Sequence, residues 1–208
     1  MGKIRFIRKK QCRRFTFWGW LLFLMLISFL VWTFIRSVVP FLTAESPVVC
    51  KVMVVEGYVS DDAMLDIREI FEAGNYDLLI TTGPHYDQGY FITGVKSAAE
   101  LIGRSLIRLG FDSTKLSIVP IPKRIFRDRT YNSALVTRQY LKTNHPNVKK
   151  INLVSQSVHA RRSHYLYRKA YEPEYVVGNI VIQNENIQPG NWYKSSRGFR
   201  AVIDETIA

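Results

Sequence analysis

The chain has 208 residues, of which 47% are hydrophobic, so it is long enough to bury the core of one domain of ordinary size. Its formal net charge of +12 is unevenly distributed, because residues 1–36 hold eight of the 29 basic residues and no acidic one. The rest of the chain therefore carries a net charge of only about +4. The high positive charge therefore mostly reflects a basic N-terminal arm, which argues against nucleic acid as a partner.

The first hydrophobic feature is a run without charged residues from Phe15 to Ile35, preceded by a basic arm at residues 1–14. At ~1.5 Å per residue this run spans roughly the 30 Å hydrocarbon core of a bilayer. We therefore predict a transmembrane anchor over residues 15–36. A cleaved signal peptide is the alternative, but its apolar region is usually about 7–15 residues long and ends at a small-residue cleavage site.

The basic residues around this run predict the orientation of the anchor. Seven basic residues precede the run, whereas Arg36 alone follows it closely. The positive-inside rule then places the N-terminus in the cytoplasm, and the residues after 40 on the periplasmic or extracellular side of a cell inner or plasma membrane. The two cysteines, Cys12 and Cys50, would lie on opposite sides, so we predict no disulfide framework.

Residues 37–47 are predicted to be a linker, and residues 48–208 a domain in which strands and helices alternate. Strand-like runs occur at 48–55, 77–82, 116–119, 151–155 and 175–182. Helix-like runs occur at 63–71, at about 93–109, up to Leu141, through Ala170 and from Trp192 to the end. The strands are short, apolar and β-branched, which is typical of a parallel sheet covered on both faces. We predict an α/β fold with a Rossmann-like, doubly wound and mainly parallel sheet of about five strands.

Polar side chains gather in the loops that follow the predicted strands. Ligands of doubly wound sheets bind outside the carboxyl ends of the strands, so these loops should meet at one rim. From them we predict ten ligand-binding residues: Gly57, Thr82, Gly83, Arg127, Arg129, Thr130, Ser155, Ser157, Arg161 and Arg162.

The arginines of this rim point to an anion, because a guanidinium binds phosphate or carboxylate through paired hydrogen bonds. Each arginine could instead be solvated, or paired with an acid such as Asp128. Arg161 and Arg162 are adjacent on a predicted helix, so at most one of them points straight into a site.

Glu56 and His159 are the candidate catalytic residues, since both can exchange protons and both lie at the predicted rim. Two alternatives stay open: Glu56 could be a cap or the partner of a rim arginine, and His159 could be a hydrogen-bonded structural histidine. The hydroxyls at the rim are most simply helix caps and turn formers, namely those of Thr130, Ser133, Ser155 and Ser157.

Several well-known chemistries lack their motif in this chain. There is no Gly-x-Ser-x-Gly elbow, no Gly-x-Gly-x-x-Gly fingerprint and no Walker A sequence. The spacing of cysteine and histidine does not resemble a zinc ligand set. We therefore predict neither a metal site nor a cofactor.

Five stretches of the domain share their order and spacing with one known family. They are Val54-Val55-Glu56-Gly57; Ile80-Thr81-Thr82-Gly83; Arg127-Asp128-Arg129-Thr130-Tyr131-x-Ser133-Ala134; Val154-Ser155-x-Ser157-x-His159-Ala160-Arg161-Arg162-Ser163; and Trp192-Tyr193-x-Ser195-Ser196-Arg197-Gly198. On these residues the chain resembles the SanA/ElyC/YdcF family, an envelope-associated domain of unknown function. The resemblance implies a Rossmann-like fold and, for members with one N-terminal anchor, a role in cell-envelope integrity or barrier function.

The chain departs from many members of that family at two places. Where they carry a glycine triplet after the first strand, this chain has Glu56-Gly57-Tyr58, and where they carry Glu-Asn, it has Asn132-Ser133. Two functions follow as hypotheses. In the first, a membrane-anchored envelope protein binds a small anionic, phosphorylated metabolite and, if it is an enzyme, processes it. In the second, it is a non-catalytic envelope factor that acts through a regulatory ligand or a protein partner.

Overall fold

The computed structural model describes residues 15–122, 125 and 127–208, so the predicted basic arm lies outside the described residues. The helices are α1 (Phe17–Leu42), α2 (Ala63–Ala73), α3 (Tyr90–Thr93), α4 (Ala98–Arg108), α5 (Arg129–Asn144), α6 (Ala160–Tyr171) and α7 (Ser196–Ile207). The strands are β1 (Val52–Val55), β2 (Leu78–Gly83), β3 (Leu116–Pro120), β4 (Lys150–Gln156) and β5 (Val176–Ile182). Short 3-10 turns precede β3, α6 and α7, at Ser113–Lys115, Ser157–His159 and Trp192–Lys194.

The strands form one sheet in the order β3-β2-β1-β4-β5, and every neighbouring pair is parallel. After β1 the chain adds β2 and β3 on one side, and it then returns to add β4 and β5 on the other. The predicted Rossmann-like, doubly wound α/β fold is confirmed. The strand order reverses between β1 and β4, which is where such sheets leave a crevice at their carboxyl edge.

The side chains of β1 alternate between two apolar cores, because successive residues of a strand point to opposite faces of the sheet. Val52 and Val54 belong to the core that includes α5 and α6. Met53 and Val55 belong to the core that includes α2 and α4. Complete burial of an apolar side chain of this size stabilises the fold by about 1.5–3 kcal/mol. With both faces covered, polar groups are left to the ends of the strands.

Helix α1 is long and apolar enough to cross a membrane, and most of its side chains are exposed. It continues past Arg36 into the stretch predicted as a linker, and its last turns pack against the domain. There, Val38, Val39 and Leu42 form a small core with Val158, Ile187, Trp192 and Val202. Because Val158 lies two residues after the end of β4, the end of α1 lies at the carboxyl edge of the sheet.

From the end of α1 the chain runs back along β5 to the amino edge. Ser46 pairs with Asn179 of β5 in an antiparallel bridge. The backbone of Val48 then forms two hydrogen bonds with the side chain of Asn152, near the start of β4. The amide of Val48 donates to Oδ1, and its carbonyl oxygen accepts from Nδ2. β1 begins at Val52, four residues after the predicted start at 48, because the chain makes this crossing before it pairs with β2.

Polar caps divide two runs that were predicted as single helices. The run at about 93–109 forms the short α3 and then α4, because Ser97 Oγ accepts a hydrogen bond from the amide of Glu100 and starts a new helix. The run from Trp192 forms a 3-10 turn followed by α7, which Ser195 caps in the same way through the amide of Gly198.

Candidate functional site

A cavity of about 440 Å³ lies at the carboxyl edge of the sheet, beside the reversal point between β1 and β4. Its lining comes from the loop after β1, the start of α5 and the first two turns of α6. The lining residues are Tyr58, Asp128, Arg129, Thr130, His159, Arg162, Ser163 and Leu166. This is the position at which doubly wound sheets bind their ligands.

Glu56 follows β1 directly and is buried, with 2% of its surface exposed. Ser155 Oγ donates a hydrogen bond to Oε2 at 3.1 Å, whereas Oε1 has no hydrogen-bond partner. Burial raises the pKa of Glu56, and the nearby hydroxyls of Ser163, Thr130 and Ser155 oppose that rise without completing a bond to Oε1. Because Thr130 and Ser163 also line the cavity, the half-satisfied carboxyl lies next to it.

His159 is held by a carboxylate from the last helix of the chain. Its Nδ1 lies 2.6 Å from Glu205 Oε1. Arg162 donates to both oxygens of the same carboxylate, through Nε and Nη2, at 2.7 Å each. The side chain of Glu205 is 4% exposed, whereas those of His159 and Arg162 are 43% and 39% exposed, so the carboxylate is shielded from water but its partners reach the solvent.

The protonation of Glu205 decides which nitrogen of His159 is available. Burial by itself would raise the pKa of Glu205, but the hydrogen bonds from His159 and Arg162 outweigh burial and lower it to about 2. The carboxylate is therefore ionised near neutral pH and can only accept hydrogen bonds, so Nδ1 of His159 must donate. Nε2 is then the ring nitrogen that a ligand in the cavity can use.

Arg129 is the first residue of α5, and it forms no ion pair with the described residues. Its guanidinium carbon lies 5.5 Å from the centroid of the Tyr58 ring, a cation–π distance. The preceding residue, Asp128, has a φ of 52° and makes no capping hydrogen bond, so the first amides of α5 have no side-chain cap. A guanidinium beside such a helix start is suited to phosphate or carboxylate.

Ser157 adopts a backbone conformation that side-chain-bearing residues rarely take. Its φ is 56°, in the left-handed region, and its buried hydroxyl has no hydrogen-bond partner. Such strain is common at ligand sites, where the surrounding structure holds it in place. The sequence interpretation of the rim hydroxyls as helix caps and turn formers is wrong for the caps, since none of Thr130, Ser133, Ser155 and Ser157 caps a helix. Ser157 does form a turn, because it begins the 3-10 turn that precedes α6.

The structure brings together only part of the predicted site. The predicted residues that line the cavity are Arg129, Thr130, His159 and Arg162. Arg161 points elsewhere, with its guanidinium carbon 3.8 Å from the centroid of the Phe41 ring, and it donates to the carbonyl oxygen of Phe41. Of these two adjacent arginines, only Arg162 lines this cavity. Arg127 is exposed and does not line the cavity.

Gly57, Thr82 and Gly83 form a tightly packed junction beside the cavity and do not line it. A Cβ atom on Gly57 would come within 2.9 Å of both Ala98 Cβ and Gly83 Cα. Thr82 is completely buried. The two glycines therefore allow the loop after β1 to approach the end of β2 and the start of α4, which fixes where β1 delivers Glu56.

Besides Asp128, which was considered only as the acidic partner of an arginine, sequence reasoning missed four residues of the site, for two different reasons. Ser163 and Leu166 stand four and seven residues after His159, so the period of α6 places them on one helix face and could have identified them. Tyr58 was part of a rim loop but carried no chemical signature. Glu205 is 46 residues from His159, and no local pattern links the two.

Within the described part of the chain, no cluster of three or more histidine, cysteine, aspartate or glutamate side chains could hold a metal ion. Searches against protein-family models, curated proteins and solved structures found no match. The fold and the cavity define the class of this protein. It is a Rossmann-like α/β domain that follows one apolar N-terminal helix and has a polar cavity at the reversal point between β1 and β4.

Proposed function

We propose that this protein is a membrane-anchored component of the cell envelope whose Rossmann-like domain binds a small anionic, phosphorylated envelope metabolite. The observation that carries the proposal is Arg129, a guanidinium without an acidic partner among the described residues, beside the uncapped start of α5 in the same cavity as His159. Phosphate oxygens would accept from its paired N–H groups and from the first amides of the helix. Arg162 supports this site indirectly, because Glu205 already holds it.

His159 and Glu56 would exchange protons with the bound metabolite. Glu205 fixes the orientation of the His159 ring, as the carboxylate of a catalytic triad does, so that Nε2 can accept a proton from a nucleophile or ligand. Because burial raises the pKa of Glu56, this carboxyl keeps its proton to a higher pH than an exposed glutamate and can donate it. The pair would allow the domain to process the metabolite as well as bind it.

The membrane part of the proposal is supported by α1 and by the distribution of charge around it. The charge-free run with its basic N-terminal arm favours a cytoplasmic N-terminus and an external domain. The resemblance to the SanA/ElyC/YdcF family adds the cell envelope as the location. A C-terminal fusion to alkaline phosphatase should be active, and a C-terminal green fluorescent protein exported through the same route should be dark. The reverse pattern would overturn this orientation.

Ligand-dependent stability of the full-length protein in detergent tests the anion. Thermal unfolding would be followed with inorganic phosphate, pyrophosphate, sugar phosphates and neutral sugars. A phosphate compound at 100 times its Kd should stabilise the protein by about 2.7 kcal/mol, whereas neutral sugars should not. Arg129→Ala should abolish this response. Arg108→Ala, which removes an exposed arginine of α4, is the matched control and should keep it.

Two outcomes would contradict the anion site. Either no phosphate compound stabilises the wild-type protein, or the Arg129→Ala and Arg108→Ala variants respond equally. A response that depends on Arg129 supports binding alone, so turnover of the stabilising compound must be measured separately, with His159→Ala as the comparison.

A non-catalytic envelope factor is the second candidate, and the closed network of Arg162, Glu205 and His159 favours it. These three side chains near the cavity satisfy one another through hydrogen bonds, as the members of a structural network do. The ligand would then act as a regulator of contact with a partner. Binding of an anion without any turnover supports this reading, and turnover that is lost in His159→Ala would exclude it.

A further inference from the structure

We propose that the segment around Trp192 forms a membrane-contact surface for anionic lipid headgroups. This anchor-flanking surface consists of Arg36, Tyr193, Lys194, Arg197, Phe199 and Arg200. The inference rests on the proposed anchoring of α1 in a bilayer. It is independent of whether the cavity binds a phosphorylated metabolite.

Contacts of Trp192 with α1 set the depth of this surface. Trp192 Nε1 donates a hydrogen bond to the carbonyl oxygen of Ile35 at 3.0 Å, and its ring lies against Phe34 with 6.4 Å between centroids. Ile35 ends the charge-free run, and Arg36 is the first charged residue after it. Trp192 is therefore held at the level where the helix would leave the hydrocarbon core, which is where tryptophan is enriched in membrane proteins.

Aromatic side chains beside Trp192 are left open to the surroundings. Phe199 stacks on Trp192 with 6.0 Å between ring centroids, yet it is 48% exposed. Tyr193 packs edge-on against Trp192 and is 46% exposed. Exposed rings at this depth are costly in water, whereas they are favourable in the headgroup region of a bilayer.

The same segment carries unbalanced positive charge. Lys194, Arg197 and Arg200 are exposed, and none of them forms an ion pair with the described residues. Residues 192–200 contain no acidic residue, and Arg36 adds a fourth basic side chain at the end of the apolar run. Each basic residue that is held near an anionic bilayer strengthens the binding to that bilayer by roughly five-fold.

A lipid surface fits this combination better than a protein partner does. The surface is continuous with α1, so the anchor already holds it against the headgroups and no further association is needed. Because the end of α1 lies at the carboxyl edge of the sheet, contact at this surface would also hold that edge toward the bilayer.

The test uses the full-length protein in nanodiscs, with Cys12→Ser and Cys50→Ser as background. Single cysteines are introduced as Tyr193→Cys or Phe199→Cys. The matched control is Val176→Cys, at a 50% exposed position that begins β5 at the amino edge. The rate of labelling by a membrane-impermeant maleimide is compared between discs of neutral phosphatidylcholine and discs that also contain about a third phosphatidylglycerol.

We expect anionic lipid to slow labelling at both surface positions by about five-fold or more, with no change at position 176. The double variant Lys194→Gln/Arg197→Gln should lose most of this protection, whereas Arg108→Gln/Lys169→Gln should keep it. Equal rates in the two lipids would overturn the proposal, and so would protection that requires an added protein. Carbonate extraction of the wild-type protein from membranes reports separately on α1, so a failed anchor is distinguished from a failed surface.

Discussion

Asn152 and Glu56 are equally buried, each with 2% of its surface exposed, yet they lie near opposite ends of neighbouring strands. Near the amino edge, Asn152 Oδ1 accepts from the amide of Val48, and Nδ2 donates to the carbonyl oxygen of Val48 and to the hydroxyl of Tyr76. At the carboxyl edge, Glu56 has one hydrogen bond from Ser155 and one oxygen without a partner. A buried polar group whose hydrogen bonds are all made is typical of a structural role. A buried polar group that lacks a hydrogen bond next to a cavity indicates a place for a ligand.

The largest effect should follow from breaking the structural side of this comparison. Asn152→Ala removes three hydrogen bonds and leaves the part-buried backbone of Val48 and the buried hydroxyl of Tyr76 without these partners, so we expect a loss of about 3 kcal/mol in the free energy of unfolding. Urea denaturation of the full-length protein in detergent, followed by circular dichroism, measures it. The response to phosphate should be unchanged at temperatures where the variant is folded. A loss below about 0.5 kcal/mol would show that the amino edge does not depend on this residue.

Removing the charge of Glu205 should have the next largest effect, and the effect should depend on pH. The folded pKa of about 2 lies below the ordinary value of 4.5, so the ionised carboxylate stabilises the fold above pH 4.5, and this contribution is lost as the pH falls toward 2. After allowance for solvent around its half-exposed partners, Glu205→Gln should cost about 1–3 kcal/mol at pH 7. The difference from the wild type should shrink at pH 3, and a difference that grew instead would contradict the network.

Glu56 should respond to pH in the opposite sense. Its folded pKa is raised by burial, so the neutral carboxyl is favoured in the folded state, and the wild type should lose stability as the pH rises from 4.5 through the folded pKa. Glu56→Gln removes that loss and should change stability at pH 7 by no more than about 1 kcal/mol. Unfolding measured from pH 4 to pH 8 checks this, and identical profiles for variant and wild type would refute a raised pKa.

The sequence predicts only part of the polar site at the carboxyl edge. Alternation of apolar strands with helices was sufficient for the doubly wound sheet, and the loops at strand ends located Arg129, Thr130, His159 and Arg162. Periodicity does not show which arginine is already paired, because Glu205 reaches Arg162 from 43 residues away. The hydrogen bonds of Asn152 could not be predicted either. Its partner Val48 is 104 residues away in the sequence and reaches it only because the chain crosses the sheet between α1 and β1.

The smallest effects should come from a second pair of residues, one at each edge, that share a left-handed backbone. Ser157 has a φ of 56° in the turn that follows β4 at the carboxyl edge, and Asn75 has a φ of 51° in the turn that leads into β2 at the amino edge. Asparagine tolerates this region well, so Asn75→Gly should leave stability within about 0.5 kcal/mol. Serine does not, so Ser157→Gly exchanges strain of about 1–2 kcal/mol for glycine entropy of about 0.5–1 kcal/mol and should be neutral or slightly stabilising.

Ligand response separates these two turns where stability does not. If the strained turn and the unpaired hydroxyl of Ser157 support the site that His159 lines two residues later, then Ser157→Gly and Ser157→Ala should both weaken the stabilisation by phosphate compounds, whereas Asn75→Gly should not. Thermal unfolding with and without the anion measures the difference, and Ser157→Ala isolates the hydroxyl because it keeps the Cβ atom. Undiminished responses in both Ser157 variants would assign this serine to the turn alone, and the strain would then have no part in binding.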